Sequence, residues 1–331
     1  MQIRTKVTLV KRIVHLVLLV SLFSLVSTQL AQEDDAIEIT PELQEVMNGI
    51  ESRVETLREL TLTDEIIRQF PSTEETQAFF AEAYDQELTD DIVLQTTQFY
   101  RAFDFVGPEF DYKAEIIKLI SAQVAGFYNT ETNEMNVLFI SREPSNSDLP
   151  LLEKMIYAHE YTHAIQDQYF NSEVLLANMG EESDIAIAIL SLIEGDAMLV
   201  MQDYLIQLTE ENPVAILAAM GDILALESSG MADIPEGTPP IMEAELTMPY
   251  LDGLLFVTEL WQTGGWDAVN AAFVQLPASS EQIIHPEAYI NGDQPDEVIL
   301  SSADSVFDDD WTMLVDGRIG EFYLREYLKN Q

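Results

Sequence analysis

Apolar residues recur at intervals of three and four over long stretches of the chain, and this spacing predicts helices. Residues 41–121 follow the pattern from end to end, with Ser72 and Glu75 at the spacing of a helix-capping box. Two longer helices are predicted over residues 151–170 and from about residue 183 to residue 210. The chain is therefore expected to be mostly helical.

A different pattern lies before the first long helix. Residues 123–129 and 135–140 are rich in aromatic and β-branched side chains, and a polar stretch separates them, which predicts a β-hairpin. Residues 228–240 hold three prolines and two glycines and are expected to form a surface loop or linker. Helices alternate with loops in the remainder. The pattern thus predicts an α+β fold with a small sheet among many helices.

The first segment has the layout of a secretory signal. Four basic residues lie before residue 13, an apolar run covers residues 13–26, and small residues lead to Ala31. This order predicts a signal peptide over residues 1–31 and a secreted or extracytoplasmic protein. The alternative is that residues 13–31 stay in a membrane as an anchor, because with the small residues added the run approaches the ~20 residues that a spanning helix needs.

The composition excludes several partners and ligands. The chain has a net charge of −44, and loss of the signal peptide would leave 11 basic and 59 acidic residues, a net charge of −48. Nucleic acid is not expected to bind such a surface. The chain has no cysteine, so neither disulfides nor thiolate metal ligands are available. A tight transition-metal site must therefore use nitrogen and oxygen atoms.

The first of the two long helices carries the chemistry. It contains His159-Glu-Tyr-Thr-His163, in which two histidines are four residues apart and lie on the same helix face. Two imidazoles in this arrangement can bind one ion, and Glu160 lies beside them as a candidate general base. The motif predicts a Zn²⁺ site with His159 and His163 as ligands and Glu160 as a catalytic residue.

A catalytic zinc usually has three protein ligands, so a third must come from elsewhere. Glu194 lies in the middle of the second long helix among apolar residues, where a carboxylate is poorly explained without a cation. We predict Glu194 as the third ligand, with Asp196 as the nearest alternative. Gly195 is expected to let this helix approach the HExxH helix closely.

Other polar residues are candidates for supporting roles. Asp167 and Asp196 are predicted to accept the outer ring N–H of a ligand histidine, which would fix its tautomer. His285 is the predicted second catalytic residue, as a hydrogen-bond donor to the oxyanion of a tetrahedral intermediate. Tyr250 and Tyr289 are alternatives for the same donor role.

The motifs together resemble a known family. Residues 158–168, read with Glu194-Gly-Asp-Ala197 and Ala125-Gly-Phe-Tyr-Asn129, look like the gluzincin-type zinc metallopeptidases. The chain is especially similar to exported bacterial members that also carry Ser-Glu-Gln-x-x-His-Pro-Glu. The resemblance spans roughly residues 116–289. The chain lacks the Asn-Glu-x-x-Ser-Asp segment of thermolysin-like members.

The resemblance implies a zincin-like core, with a small sheet beside the HExxH helix and a C-terminal helical lobe. It also implies that His159, His163 and Glu194 bind zinc, that Glu160 is the base, and that the substrate is a peptide or protein. A non-peptide amidase and a non-catalytic exported zinc-binding protein remain as alternatives. The predicted parts are a signal peptide over 1–31, an N-terminal helical region over 32–122 that is either a lobe or a removable pro-segment, a metal-binding core over 123–227 and a C-terminal lobe over 228–331.

Overall fold

A computed structural model of the protein describes residues 39–140, 147–172, 174–175, 183–217, 219, 234–296 and 317–331. The predicted signal peptide and residues 228–233 of the predicted loop at 228–240 lie outside these ranges. Within them, none of the helices combines the length and the apolar character that crossing a membrane requires.

Helices make up most of the described chain and one small sheet accompanies them, which confirms the mostly helical α+β class. The capping box of Ser72 and Glu75 is formed at the start of the second helix. In chain order the helices are α1 Pro41–Arg58, α2 Thr73–Glu87, α3 Asp90–Ala102, α4 Tyr112–Gln123, α5 Leu151–Phe170, α6 Ser183–Glu211, α7 Pro240–Val274, α8 Ser280–Ile284, α9 Pro286–Asn291 and α10 Glu321–Lys329.

The sheet has three strands in the order β1-β3-β2. The predicted hairpin is confirmed: β2 (Gly126–Asn129) and β3 (Glu134–Val137) are antiparallel, with Phe127 opposite Asn136. Asn133 precedes β3 with a φ of 57°, a left-handed conformation that asparagine tolerates in turns.

The third strand was not predicted. β1 (Ile67–Gln69) lies in the stretch expected to be helical throughout, and it pairs in parallel with β3. Its partner strand lies more than 60 residues away along the chain, and three residues are too few to show an alternation of apolar and polar side chains. Arg68 within it is held by Glu51 of α1, with Nε 2.7 Å from Oε1 and Nη2 2.6 Å from Oε2. The N-terminal region is therefore joined to the sheet.

Helix α5 carries the HExxH motif and lies in the centre of the fold. It packs against the sheet on one side and against α1 and α6 on others, so most of its side chains from Leu151 to Gln166 are buried. The helix ends where Asn171 adopts a φ of 58°. Because the motif lies in the core, its polar groups need partners there.

Helices α6 and α7 cross with almost no space between their backbones. A Cβ atom on Gly195 would lie 2.2 Å from the carbonyl oxygen of Gly253, and one on Gly253 would lie 2.3 Å from that of Ser191. The prediction that Gly195 faces the HExxH helix is therefore wrong. Neighbouring residues lie about 100° apart around a helix, so the glycine next to Glu194 faces α7 while Glu194 faces α5.

This crossing predicts the effect of adding one methyl group. Gly195→Ala should gain about 1 kcal/mol of helix propensity, but overpacking against a backbone carbonyl costs roughly 1–3 kcal/mol or more. We therefore expect a net fall in the free energy of unfolding, measured by denaturant titration. Gly49→Ala in α1 is the control, because nothing lies within 4 Å of its added Cβ and it should stabilise the protein. Equal stabilisation by both changes would contradict the close crossing.

Candidate metal centre

Three predicted ligands come together between α5 and α6. His159 Nε2 lies 3.1 Å from Glu194 Oε2 and 3.1 Å from His163 Nε2, and His163 Nε2 lies 3.4 Å from Glu194 Oε2. His159, His163 and Glu194 form the one group of potential metal ligands found in the described part of the chain. The two histidines are brought together by their spacing of four on α5, and α6 supplies the carboxylate.

The spacing and the donor atoms of this group fit a metal ion. Tetrahedral zinc bonds of about 2.0–2.2 Å place neighbouring ligand atoms roughly 3.3 Å apart, close to the distances observed here. All three side chains are at most 5% exposed. Among the described residues, Glu194 Oε1 and His159 Nδ1 are buried without a hydrogen-bond partner. A buried carboxylate with an unused oxygen is costly, and a cation would offset that cost.

The electrostatics of the metal-free group place one positive charge in it. Burial alone would lower the pKa of His163, but the Glu194 carboxylate, together with the charge of Glu160 and the hydrogen bond to Gln166, raises it to about 9. Burial lowers the pKa of His159 despite its hydrogen bond to Glu194. Burial would raise the pKa of Glu194, yet the charge on His163 and the hydrogen bonds of both imidazoles keep it below its usual value. Near neutral pH, protonated His163 is therefore the cation that balances Glu194.

Glu160 lies on the side of α5 that faces the sheet. Its side chain is fully buried, and its charge contributes to the raised pKa of His163, so it lies near the group. A Cβ on Gly126 of β2 would be 3.0 Å from Glu160 Cγ and 2.8 Å from Ile156 Cγ2. Glycine at this position of β2 lets the sheet lie directly against the motif and confines Glu160.

The outer ring nitrogen of His163 has a partner that the sequence did not suggest. His163 Nδ1 lies 2.8 Å from Gln166 Oε1, and Gln166 Nε2 donates to Asp196 Oδ2 and to the carbonyl of Ile193, each at 2.9 Å. Asp196 therefore supports His163 through Gln166 rather than by direct contact. Gln166 is three residues after His163 and on the same face of the helix, a spacing that was available as a signal.

Asp167 has other contacts than the predicted one. Its Oδ2 accepts a hydrogen bond from Tyr128 at 3.3 Å, and its Oδ1 accepts one from the backbone N–H of Ser172 at 3.1 Å. Asp167 and Gln166 are neighbours on α5, and their side chains point about 100° apart. The expectation that Asp167 holds a ligand histidine is thus wrong, because the adjacent glutamine takes that place.

Arg58, in the last turn of α1, approaches the group from a third direction. It is completely buried, its Nε lies 2.8 Å from Asp196 Oδ1, and its Nη2 donates to Asn270 at 2.7 Å. The guanidinium also lies over the ring of Trp266, 4.4 Å from its centroid. Nothing in the local sequence around Arg58 indicated this role.

The remaining candidates make different contacts. Tyr250 of α7 is buried, and its ring is roughly parallel to that of His159 with centroids 6.2 Å apart. Tyr289 donates its hydroxyl to the carbonyl of Gln275 at 2.6 Å. His285 Nε2 lies 3.0 Å from Glu321 Oε1, and its side chain is 48% exposed. The catalytic role of His285 stays a prediction; the contact it makes here links α8 to α10.

In comparisons with known proteins, no family model, curated protein or solved structure matches this chain. The similarity to gluzincins therefore stays a prediction, and function has to be argued from the geometry.

The raised pKa of His163 predicts that metal binding releases a proton. At about pH 7.5 the metal-free ring carries a proton that an ion must displace, whereas His159 is already neutral, so about one proton should leave per zinc ion bound. The apparent affinity should rise with pH until the His163 pKa of about 9 is passed. Calorimetry in two buffers of different ionisation enthalpy measures the released proton. Binding without proton release would mean that His163 is neutral in the metal-free protein.

Proposed function

We propose that the protein is a zinc-dependent hydrolase, most specifically a metallopeptidase. In this proposal His159, His163 and Glu194 hold the ion, and Glu160 is the general base. A zincin-like core belongs to the same proposal, because the small sheet and the HExxH helix are packed against each other through Gly126.

The observation that carries the proposal is a combination of two features. Three nitrogen and oxygen donors lie 3.1–3.4 Å apart in the core, and a buried glutamate lies beside them. A site that only binds a metal needs the first feature. A hydrolase needs both, because a carboxylate next to the ion can move protons.

A zinc ion held by this group would polarise a substrate carbonyl and allow a water molecule to lose a proton near pH ~7. Glu160 would accept that proton as the water oxygen bonds to the carbonyl carbon. It would then deliver the proton to the leaving nitrogen as the C–N bond breaks. The close packing of Glu160 against Gly126 of β2 supports this role, because a base that is already held in place loses little conformational entropy in the reaction.

The sheet topology favours one strand for binding an extended peptide. β3 is paired on both sides, so of the two hairpin strands only β2 has an edge without a neighbour among the described residues. A peptide chain can add to such an edge through main-chain hydrogen bonds. Because Gly126 begins β2 and contacts Glu160, a peptide on this edge would pass close to the base.

Burial of the group favours a second candidate, a protein in which the metal is structural. The three ligands and Glu160 are all at most 5% exposed, as in a closed site. Against this candidate, structural zinc sites usually have four protein ligands, and the described residues supply a group of three. A buried glutamate beside the ion also has no use in a structural site.

Replacing the base separates the two candidates. Glu160→Gln is nearly isosteric, so the variant should fold and bind metal as the wild type does, but it cannot accept a proton. Peptide hydrolysis should then fall by about 10²–10⁴-fold. The measurement is digestion of a broad peptide library, read by mass spectrometry, together with metal analysis of both proteins for zinc and for iron, which two histidines and a carboxylate also bind.

The matched control is Glu153→Gln, which changes another fully buried glutamate of α5 that accepts a hydrogen bond from the backbone N–H of Ile140 at 2.8 Å. This variant should keep its activity if it folds. A hydrolytic activity that survives Glu160→Gln would refute the mechanism. Bound zinc without cleavage of any peptide by the wild type would favour the structural candidate.

A further inference from the structure

The hydrogen bonds of Gln166 determine the proton position on His163. The terminal nitrogen of Gln166 faces the carbonyl of Ile193 and a carboxylate oxygen of Asp196, both of which only accept. The amide is therefore held in one orientation, with its oxygen toward His163. An amide oxygen also only accepts, so the proton must be on His163 Nδ1. When a bound metal displaces the second ring proton, the proton that remains is the one on Nδ1, and Nε2, the atom inside the three-ligand group, has a lone pair for the ion.

Asp196 accepts from Gln166 through Oδ2, while its Oδ1 lies next to Arg58, so the guanidinium holds the carboxylate where it orients Gln166. The side chains of Arg58 and Asp196 are both 0% exposed and form an ion pair at 2.8 Å. Without the guanidinium, Asp196 would be a buried carboxylate with no cation beside it, and its side chain would be expected to move away from Gln166. A displaced Asp196 would leave the amide nitrogen of Gln166 with only the carbonyl of Ile193 as a partner, so the amide oxygen would be held less firmly against His163.

We propose that Arg58 is a positioning residue of the metal centre, which sets the tautomer of His163 through Asp196 and Gln166. The proposal rests on the proposed function in that it takes the three-ligand group as a metal site. Its consequence concerns helix α1. This helix, in the region that was expected to be either a lobe or a removable pro-segment, would be a working part of the centre that the metal-loaded protein retains.

The test compares zinc affinities, measured by competition with a chromogenic chelator. Asp196→Asn keeps the shape of the side chain but can present a donor to Gln166, so zinc affinity should fall by about 10–100-fold. Gln166→Glu should also weaken binding, because its carboxylate would face Asp196. In the double variant Gln166→Glu/Asp196→Asn, the carboxylate of residue 166 accepts a hydrogen bond from His163 Nδ1. The side-chain amide of residue 196 donates a hydrogen bond to that carboxylate. It should therefore recover part of the affinity lost in each single variant.

The contribution of Arg58 is tested against another arginine on the same helix. Arg53 also links α1 to α6, through Glu211 at 2.8 Å, but lies near the surface. Arg58→Met should lower zinc affinity at least tenfold, and Arg58→Lys should lower it less because the charge is kept. Arg53→Met should leave it unchanged. Cobalt substitution adds a spectroscopic readout, since a displaced His163 changes the absorption bands of bound Co²⁺.

Each outcome bears on the proposal. Recovery of affinity in the double variant, with a loss in Arg58→Met and none in Arg53→Met, supports it. If Arg58→Met does not fold, Arg58→Lys and the double variant decide, since both avoid an unpaired buried charge at Asp196. Wild-type affinity and an unchanged cobalt spectrum in Asp196→Asn and Arg58→Lys would overturn the positioning role and leave the metal site standing. Absence of zinc binding in the wild type would overturn the proposed function itself.

Discussion

Glu194 is a carboxylate in the middle of an apolar helix, 1% exposed, and the arrangement around it depends on what balances its charge. Burying such a group is costly unless a cation and hydrogen bonds compensate. In the metal-free protein the cation is protonated His163, whose pKa is raised to about 9 mainly by Glu194 acting against burial. A metal ion at the same place would supply the charge and release the histidine proton. The site is thus electrostatically prepared for a cation.

Close packing of the helix backbones and pairing of opposite charges around Glu194 both allow this carboxylate to be buried. Gly195 and Gly253 let α7 lie directly behind α6, which closes the core on that side. A second buried pair of opposite charges is formed by Arg58 of α1 and Asp196 of α6. Gln166 connects the two pairs by hydrogen bonds. Helices α1, α5 and α6 therefore contribute two buried pairs of opposite charge to the candidate metal centre, and the buried Glu160 lies beside them.

The sequence predicted those parts of the centre that depend on the spacing of residues along one helix, or on a charged residue placed among apolar ones. His159 and His163 share a face of α5 because they are four residues apart. Glu194 was identified because a carboxylate among apolar residues needs an explanation. Both long helices follow from the periodicity of their own residues, and their bounds agree closely with the observed ones. The hairpin follows from aromatic and β-branched content, and its strands are shorter than predicted.

The parts that the sequence did not predict depend on contacts between distant residues. The three residues of β1 form a strand only because β3 pairs with them. Gly195 was expected to face α5, but it points about 100° away from Glu194 and lies against Gly253 of α7, which no local pattern indicated. Arg58 is about 140 residues from Asp196, and no local pattern links them. These features required the packing of whole helices to be known.

Crystallography of the protein grown with zinc, using anomalous scattering at the zinc edge, tests the central claim most directly. The account predicts one strong anomalous peak within about 2.3 Å of His159 Nε2, His163 Nε2 and a carboxylate oxygen of Glu194. A zinc peak bound elsewhere, for example at His285, with the three buried side chains bonded to one another as in the metal-free protein, would contradict it.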